Sequence, residues 1–356
     1  VSIPVLTHGR LSNYEKASAA LRDGICDFAV IGRGLIADPD MPNKLAEGRP
    51  EDILPCSSCN EGCIGSVLKG VHLRCALNPY AGFEDERKAP AAETPKRVLV
   101  VGGGPGGCTA ALLAKQAGHE VELWERSGTI GGKTLAASAP YMKADMLRLP
   151  NYYNVQLIKA GVPVRFFKEA NRETVAEFAP DVLIWAAGGD VVRPKSIPGL
   201  DRSNVYSCEE ALRNYVPLGK HLAIIGGGQV GIEAAIHFNT VGHDVTVVEM
   251  ADKLMPDPPF VQNANVLKEL MAAGTGTYLT GTKLVEVDAG GIIVETAEGR
   301  RHIDCDTVLL AMGWSPDASR GEELSDICRV IPVGDSSKCR NILAATTEAY
   351  EAVASI

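Results

Sequence analysis

An α/β fold holding two copies of one nucleotide-binding unit is predicted by three features of the chain. Arg97 to Glu125 and His221 to Glu249 each read as a buried strand, a glycine turn, an apolar helix and a second strand. Short apolar runs of strand length, bounded by turn residues, recur after each copy. Ahead of both copies stand a single β-α-β pattern and a cysteine-rich stretch with little periodicity.

In chain order, Ile3 to Leu6 reads as a strand, Asn13 to Arg22 as a helix capped by Asn13 or Ser12, and Phe28 to Ile31 as a buried strand ending at Gly32. Two parallel strands cannot bury both of their faces, so this unit calls for further strands or another chain. Val1 runs into the first strand with no initiator methionine, and a start cut from a longer chain is expected. Residues 38–80 are rich in Pro, Gly, Asn and Cys, which points to a bound metal centre rather than an apolar core. The polar run EDERKAPAAETPK, residues 84–96, reads as a linker. After the first copy come strands at Asp181 to Ala187, Gly291 to Thr296, Thr307 to Ala311 and Ile331 to Gly334, the last expected to fold back onto that copy. The expected divisions are 1–50, 51–83, 84–96, 97–205 with 325–356, and 206–324.

The glycine turns carry the chemistry. Gly102, Gly104 and Gly107 form G-x-G-x-x-G after the strand Val98 to Val101, and Gly226, Gly228 and Gly231 repeat it after Leu222 to Ile225. In this Rossmann-like pattern the first glycine permits a tight turn, the second lets backbone approach a pyrophosphate, and the third lets helix and strand pack closely. The helix N-terminus then offers unpaired N–H groups to the phosphates. Glu125 and Glu249 end the following strands, where a carboxylate accepts hydrogen bonds from ribose hydroxyls; a solvated strand end is the plainer alternative. Glu249 also repels a 2′-phosphate and the next cation is Lys253, not an arginine, so NADH is favoured over NADPH.

Bulk properties narrow the rest. With 356 residues, two or three cores are expected, and a formal charge of -9 supplies no basic field for nucleic acid. No apolar run is long enough for a membrane span and no signal peptide is evident, so a cytoplasmic protein is expected. Of ten cysteines, Cys56, Cys59, Cys63 and Cys75 form C-x2-C-x3-C-x11-C, able to wrap a tetrahedral centre. Spacing alone does not separate zinc from a [4Fe–4S] cluster; redox-type nucleotide units alongside favour iron–sulfur, and a reducing compartment disfavours disulfides. Cys108, Cys208, Cys305, Cys328 and Cys339 are isolated, which argues against a dithiol relay.

Further motifs carry a resemblance. Gly131 and Gly132 after Glu125, LIWAAGG at 183–189, LLAMG at 309–313 and VGD at 333–335 are similar to elements of FAD- and NAD(P)H-dependent disulfide-reductase-like proteins. That likeness places FAD at the first fingerprint, NAD(P)H at the second and the flavin ribityl chain at Gly334–Asp335. Asp335 as a cap for a helix beginning near Lys338 is the structural alternative. IGRGLIADPDMPNKLAEGRPEDILPC at 31–56, the cysteine spacing and the order of cysteines and fingerprints extend the resemblance to the whole chain. It resembles the C-terminal portion of the old yellow enzyme relatives that include 2,4-dienoyl-CoA reductase, trimethylamine dehydrogenase and bacterial enoate reductases.

The resemblance implies that residues 1–50 are the last two strands of an FMN-binding TIM barrel, with Gly32 and Arg33 at the FMN phosphate and Arg10 with Gly9 a weaker candidate. It further implies hydride transfer from NADH to FAD, then single electrons through a [4Fe–4S] cluster to FMN, which reduces an activated C=C bond of enoate or dienoyl-CoA type. The first six barrel strands are not in this sequence, nor are the substrate-binding and proton-donating residues they carry, so no general acid is named; His8 reads as structural. An oligomer is compatible with the pattern. Two rivals remain: an amine-dehydrogenase-like protein with ADP in the first site and a flavoprotein electron acceptor, and a zinc-stabilised nucleotide-binding protein without turnover. Glu249 and its intact fingerprint argue against the first.

Overall fold

The computed structural model describes residues 1–256 and 261–356, and they divide into two compact units. The first comprises 1–134, 145–189 and 316–356, the second 135–144 and 190–315.

At the centre of the first unit is a five-stranded parallel sheet in the order Arg329–Pro332, Val182–Trp185, Arg97–Val101, Glu120–Glu125, Val164–Phe166. The middle strands are apolar without alternation because both faces are covered; Val98, Leu99 and Val100 have 0% exposure. Each such side chain contributes roughly 1.5–3 kcal/mol by leaving water. The helix Pro105–Gln116 buries Ala110, Ala111 and Ala114 against the sheet and the C-terminal helix Ile342–Ala354, whose Ala349, Ala352 and Val353 share that core. The chain end therefore does return to the first copy, but its strand is Arg329–Pro332 rather than 331–334.

The second unit repeats the plan. Its parallel sheet runs Thr277–Leu279, Asp244–Val248, His221–Ile225, Thr307–Leu310, Val205–Ser207, with the fingerprint strand again central and the carboxylate strand beside it. A three-stranded antiparallel sheet, Lys283–Val287, Gly291–Thr296 and Gly299–Asp304, belongs to this unit. The chain passes into the second unit at Asp190, earlier than the boundary expected at 205/206, because Ile197, Leu200 and Val205 pack into its apolar core.

Residues 1–83 lie within the first unit. Leu6–Thr7 and Phe28–Ala29 pair in parallel, joined through the helix Tyr14–Arg22, whose cap Asn13 accepts from the Lys16 amide. Both strands are shorter than expected, and Leu6 and Phe28 are more than half exposed, as a two-stranded parallel ribbon requires. The expected linker has no helix or strand, yet Ala92 donates to the Ala117 carbonyl and Lys96 to His119.

Candidate dinucleotide sites and cysteine loop

In the first fingerprint each glycine has its own steric reason. A Cβ on Gly102 would stand 2.2 Å from the Ala186 carbonyl oxygen, and one on Gly107 would stand 1.9 Å from that of Gly102. Gly104 is different: a Cβ there meets nothing within 4 Å, so the space before the helix Pro105–Gln116 is open for a ligand. The second fingerprint reproduces all three situations. Gly226 faces the Ala311 oxygen at 2.4 Å, Gly231 the Gly226 oxygen at 1.9 Å, and Gly228 opens on empty space before the helix Gln229–Thr240.

Both carboxylates are bound into their turns in the same way. Gly103 N–H donates to Glu125 Oε2 at 2.6 Å and Ser127 N–H to Oε1 at 2.7 Å. Gly227 N–H donates to Glu249 Oε2 at 2.6 Å and Ala251 N–H to Oε1 at 2.7 Å. Each oxygen retains a second lone pair, so ribose hydroxyls can be bound without releasing the turn. The glycine turn thus fixes the residue that reads the ribose.

Around the first turn, Gly131 donates to the Gly103 carbonyl, and a Cβ on Gly132 would lie 3.1 Å from Gly104 Cα, so this pair packs on the phosphate loop. Gly334 takes φ +67, and its amide donates to Glu348 at 2.7 Å. Asp335 pairs with Lys133 at 3.0 Å and accepts from the Arg340 amide. It caps no helix: the C-terminal helix starts at Ile342 and is capped by Asn341. These residues fit the adenylate and ribityl ends of FAD, since open space, a fixed carboxylate and a second loop lie together in one unit.

The four clustered cysteines share a loop system. Ser58 and Asn60 take left-handed backbone conformations, which turn the chain between Cys56, Cys59 and Cys63, and Arg74 N–H donates to the Gly62 carbonyl at 2.6 Å, bringing Cys75 alongside. Backbone amides point at sulfur: Leu77 N–H donates to Cys75 Sγ at 3.4 Å, and the Ser58 and Glu61 amides face Cys56 and Cys59. Burial pushes the Cys59 thiol up to about 11 and raises Cys56 and Cys75 as well, with neighbouring thiols adding to the rise. Among the described residues no three His, Cys, Asp or Glu side chains form a ready-made metal-binding group. Four thiols on one loop system with backbone amides directed at sulfur are a donor set of the kind a cluster uses.

Gly32 precedes the short helix Arg33–Ala37, and the Arg33 guanidinium donates to the Asn60 side chain of the cysteine loop. Arg10 reaches Asp145 at 2.9 Å. Both arginines expected near an FMN phosphate thus have partners within this chain.

Two further groups escaped the sequence reading. Glu233, buried in the helix after the second fingerprint, accepts from Lys143 Nζ at 2.8 Å and Gln229 at 2.7 Å. A glutamate within the apolar run GIEAAI was the available signal. Asp145 accepts from both Ser58 and Arg10, and nothing in the sequence marked it.

Residues 96–326 match the family model described as pyridine nucleotide-disulphide oxidoreductase. The chain belongs to that family. The enzyme class read from the sequence, an NAD(P)H-dependent flavin oxidoreductase, agrees with this membership. Similarity extends over the whole chain to cinnamate reductase of Clostridium sporogenes, 33% identical over 100% of this chain and 54% of the relative. NADH oxidase of Thermoanaerobacter brockii is 35% identical over 99% of this chain and 55% of its own length. Among solved structures, 2-naphthoyl-CoA reductase with 2-naphthoyl-CoA superposes with a TM-score of 0.94 at 32% identity, covering 100% of this chain and 54% of that one. The chain spans about half the length of these relatives. No helix among the described residues is long and apolar enough to cross a membrane.

Proposed function

We propose that this chain is the electron-input part of an NADH-dependent flavin reductase whose remaining portion reduces an activated C=C bond, of the enoate or enoyl-CoA class. The duplicated cradle carries this reading: two glycine turns, each open at its second glycine and each locked to its own glutamate. Gly102, Gly104, Gly107, Glu125, Gly131, Gly132, Gly334 and Asp335 would hold FAD, and Gly226, Gly228, Gly231 and Glu249 would bind NADH. Cys56, Cys59, Cys63 and Cys75 would ligate a [4Fe–4S] cluster. When bound, FAD converts hydride into single electrons and the cluster conducts them one at a time.

The chain's own contribution is positional. Glu249 accepts the ribose hydroxyls of NADH and repels a 2′-phosphate. Lys133 keeps Asp335 beside the first site through a 3.0 Å ion pair. The names of the relatives, two reductases and an NADH oxidase, support the direction of electron flow.

A Cys59→Ser variant of the full-length protein tests the assignment. NADH is expected to bleach the FAD at the parent rate while reduction beyond it is lost, followed by stopped-flow absorbance. Parent-like reduction of the second flavin in the variant would contradict the assignment.

A further inference from the structure

Within the loop from Cys56 to Cys63, Ser58 at φ 57 and Asn60 at φ 64 are the two non-glycine residues in the left-handed region. Such residues persist only where surrounding contacts hold them. Both are held from outside the loop by a charged side chain. Ser58 Oγ donates to Asp145 Oδ2 at 3.0 Å, and the Arg33 guanidinium donates to Asn60 Oδ1. Asp145 Oδ2 also takes Arg10 at 2.9 Å, so one carboxylate joins the turn at Arg10 to the cysteine loop. Charge-assisted hydrogen bonds of this kind are stronger than neutral ones and fix direction.

We propose that Asp145 and Arg33 are positioning residues that hold the Cys56–Cys63 loop for its cluster and set the cluster's potential with charges of opposite sign. The inference rests on the reading of Cys56, Cys59, Cys63 and Cys75 as [4Fe–4S] ligands. Charges of opposite sign border the loop, the Arg33 guanidinium on the Asn60 side chain and the Asp145 carboxylate on the Ser58 hydroxyl. A cluster gains negative charge on reduction. Removing the carboxylate therefore favours the reduced form, and removing the guanidinium disfavours it.

The test compares Asp145→Asn and Arg33→Gln with the parent in the full-length protein, purified anaerobically. Iron release to a chelator is followed by absorbance, and the cluster midpoint potential by redox titration with electron paramagnetic resonance. Both variants are expected to release iron about tenfold faster or more, in line with the usual loss on removing an outer partner of a metal site. The midpoint is expected to rise in Asp145→Asn and fall in Arg33→Gln, a sign reversal that packing loss alone would not produce. Parent-like iron release in both variants, or shifts of one sign, would overturn the proposal. Should Asp145→Asn fail to fold, Ser58→Ala removes the same latch from the loop side; faster iron release supports the proposal and the parent rate overturns it. A parent protein holding zinc or no metal would overturn the underlying cluster reading instead, so the two failures are distinguishable.

Discussion

Gly104 and Gly107 are the same residue type in one turn, yet the space around them assigns them opposite duties. A methyl group at Gly107 strikes the Gly102 carbonyl, whereas at Gly104 it enters open space. Gly107→Ala is expected to destabilise the unit by about 1–3 kcal/mol, the usual cost of overpacking, and to lose flavin. Gly104→Ala is expected to keep the parent melting temperature while flavin affinity falls about tenfold or more, because its methyl occupies pyrophosphate space. Calorimetry and flavin fluorescence separate the two, and equal melting losses would contradict the division of roles. Glu249 offers a second residue test: Glu249→Gln is expected to cut the NADH over NADPH preference in kcat/KM about tenfold by removing the repulsion of a 2′-phosphate; an unchanged ratio would place selectivity elsewhere. The fingerprints and both glutamates were legible because glycine and a strand-end carboxylate have few reasons to sit at that spacing. Lys143–Glu233 and Asp145 were not, since their partners lie far apart in sequence and any surface carboxylate reads alike until the chain folds.

Among the elements, the fingerprint strands and helices were legible because buried parallel strands are continuously apolar and the alanine-rich helix packs closely on them. The edges were harder. The strand expected at 331–334 lies at Arg329–Pro332, where Arg329 and Pro332 are exposed and hide the period. The antiparallel sheet of the second unit is set partly by pairing that only the hairpin creates: His302 stands 3.1 Å from Asp288 and 3.0 Å from Asp304. Its hydrogen bond with Asp288 holds the imidazole above its ordinary 6.5 and Asp288 below its ordinary 3.8. The imidazolium's contribution is complete below its unfolded titration and fades as pH rises through the raised value. The carboxylate's is complete above its unfolded titration and fades as pH falls through the depressed one. His302→Ala should therefore weaken amide-exchange protection of residues 291–304 at about pH 5.5 and leave it unchanged at about pH 8.5. Equal loss at both would assign His302 a packing role.

For the whole molecule, the sequence disclosed two nucleotide units because a repeated strand, turn and helix has one economical explanation, and both sheets carry the fingerprint strand at their centre. The second compact unit resumes at Asp190, and the loop bearing Ile197 and Leu200 has no period to show in sequence which core it joins. The cysteine spacing reads as a metal centre, but spacing does not report how nearly the thiols converge, and among the described residues no three of them form a metal-binding group. In the proposed function, reducing equivalents enter at NADH and reach both a flavin and an iron–sulfur cluster in the same protein. The most direct measurement is an anaerobic NADH titration of the full-length protein, with iron, sulfide and flavin quantified beforehand and the flavin band and the cluster's paramagnetic signal followed together. Four irons and four sulfides per chain are expected from one such cluster, with flavin bleaching and a reduced-cluster signal both appearing as NADH is added. Iron at that level with no cluster signal at any NADH concentration, or bleaching in a protein that holds only zinc, would contradict it.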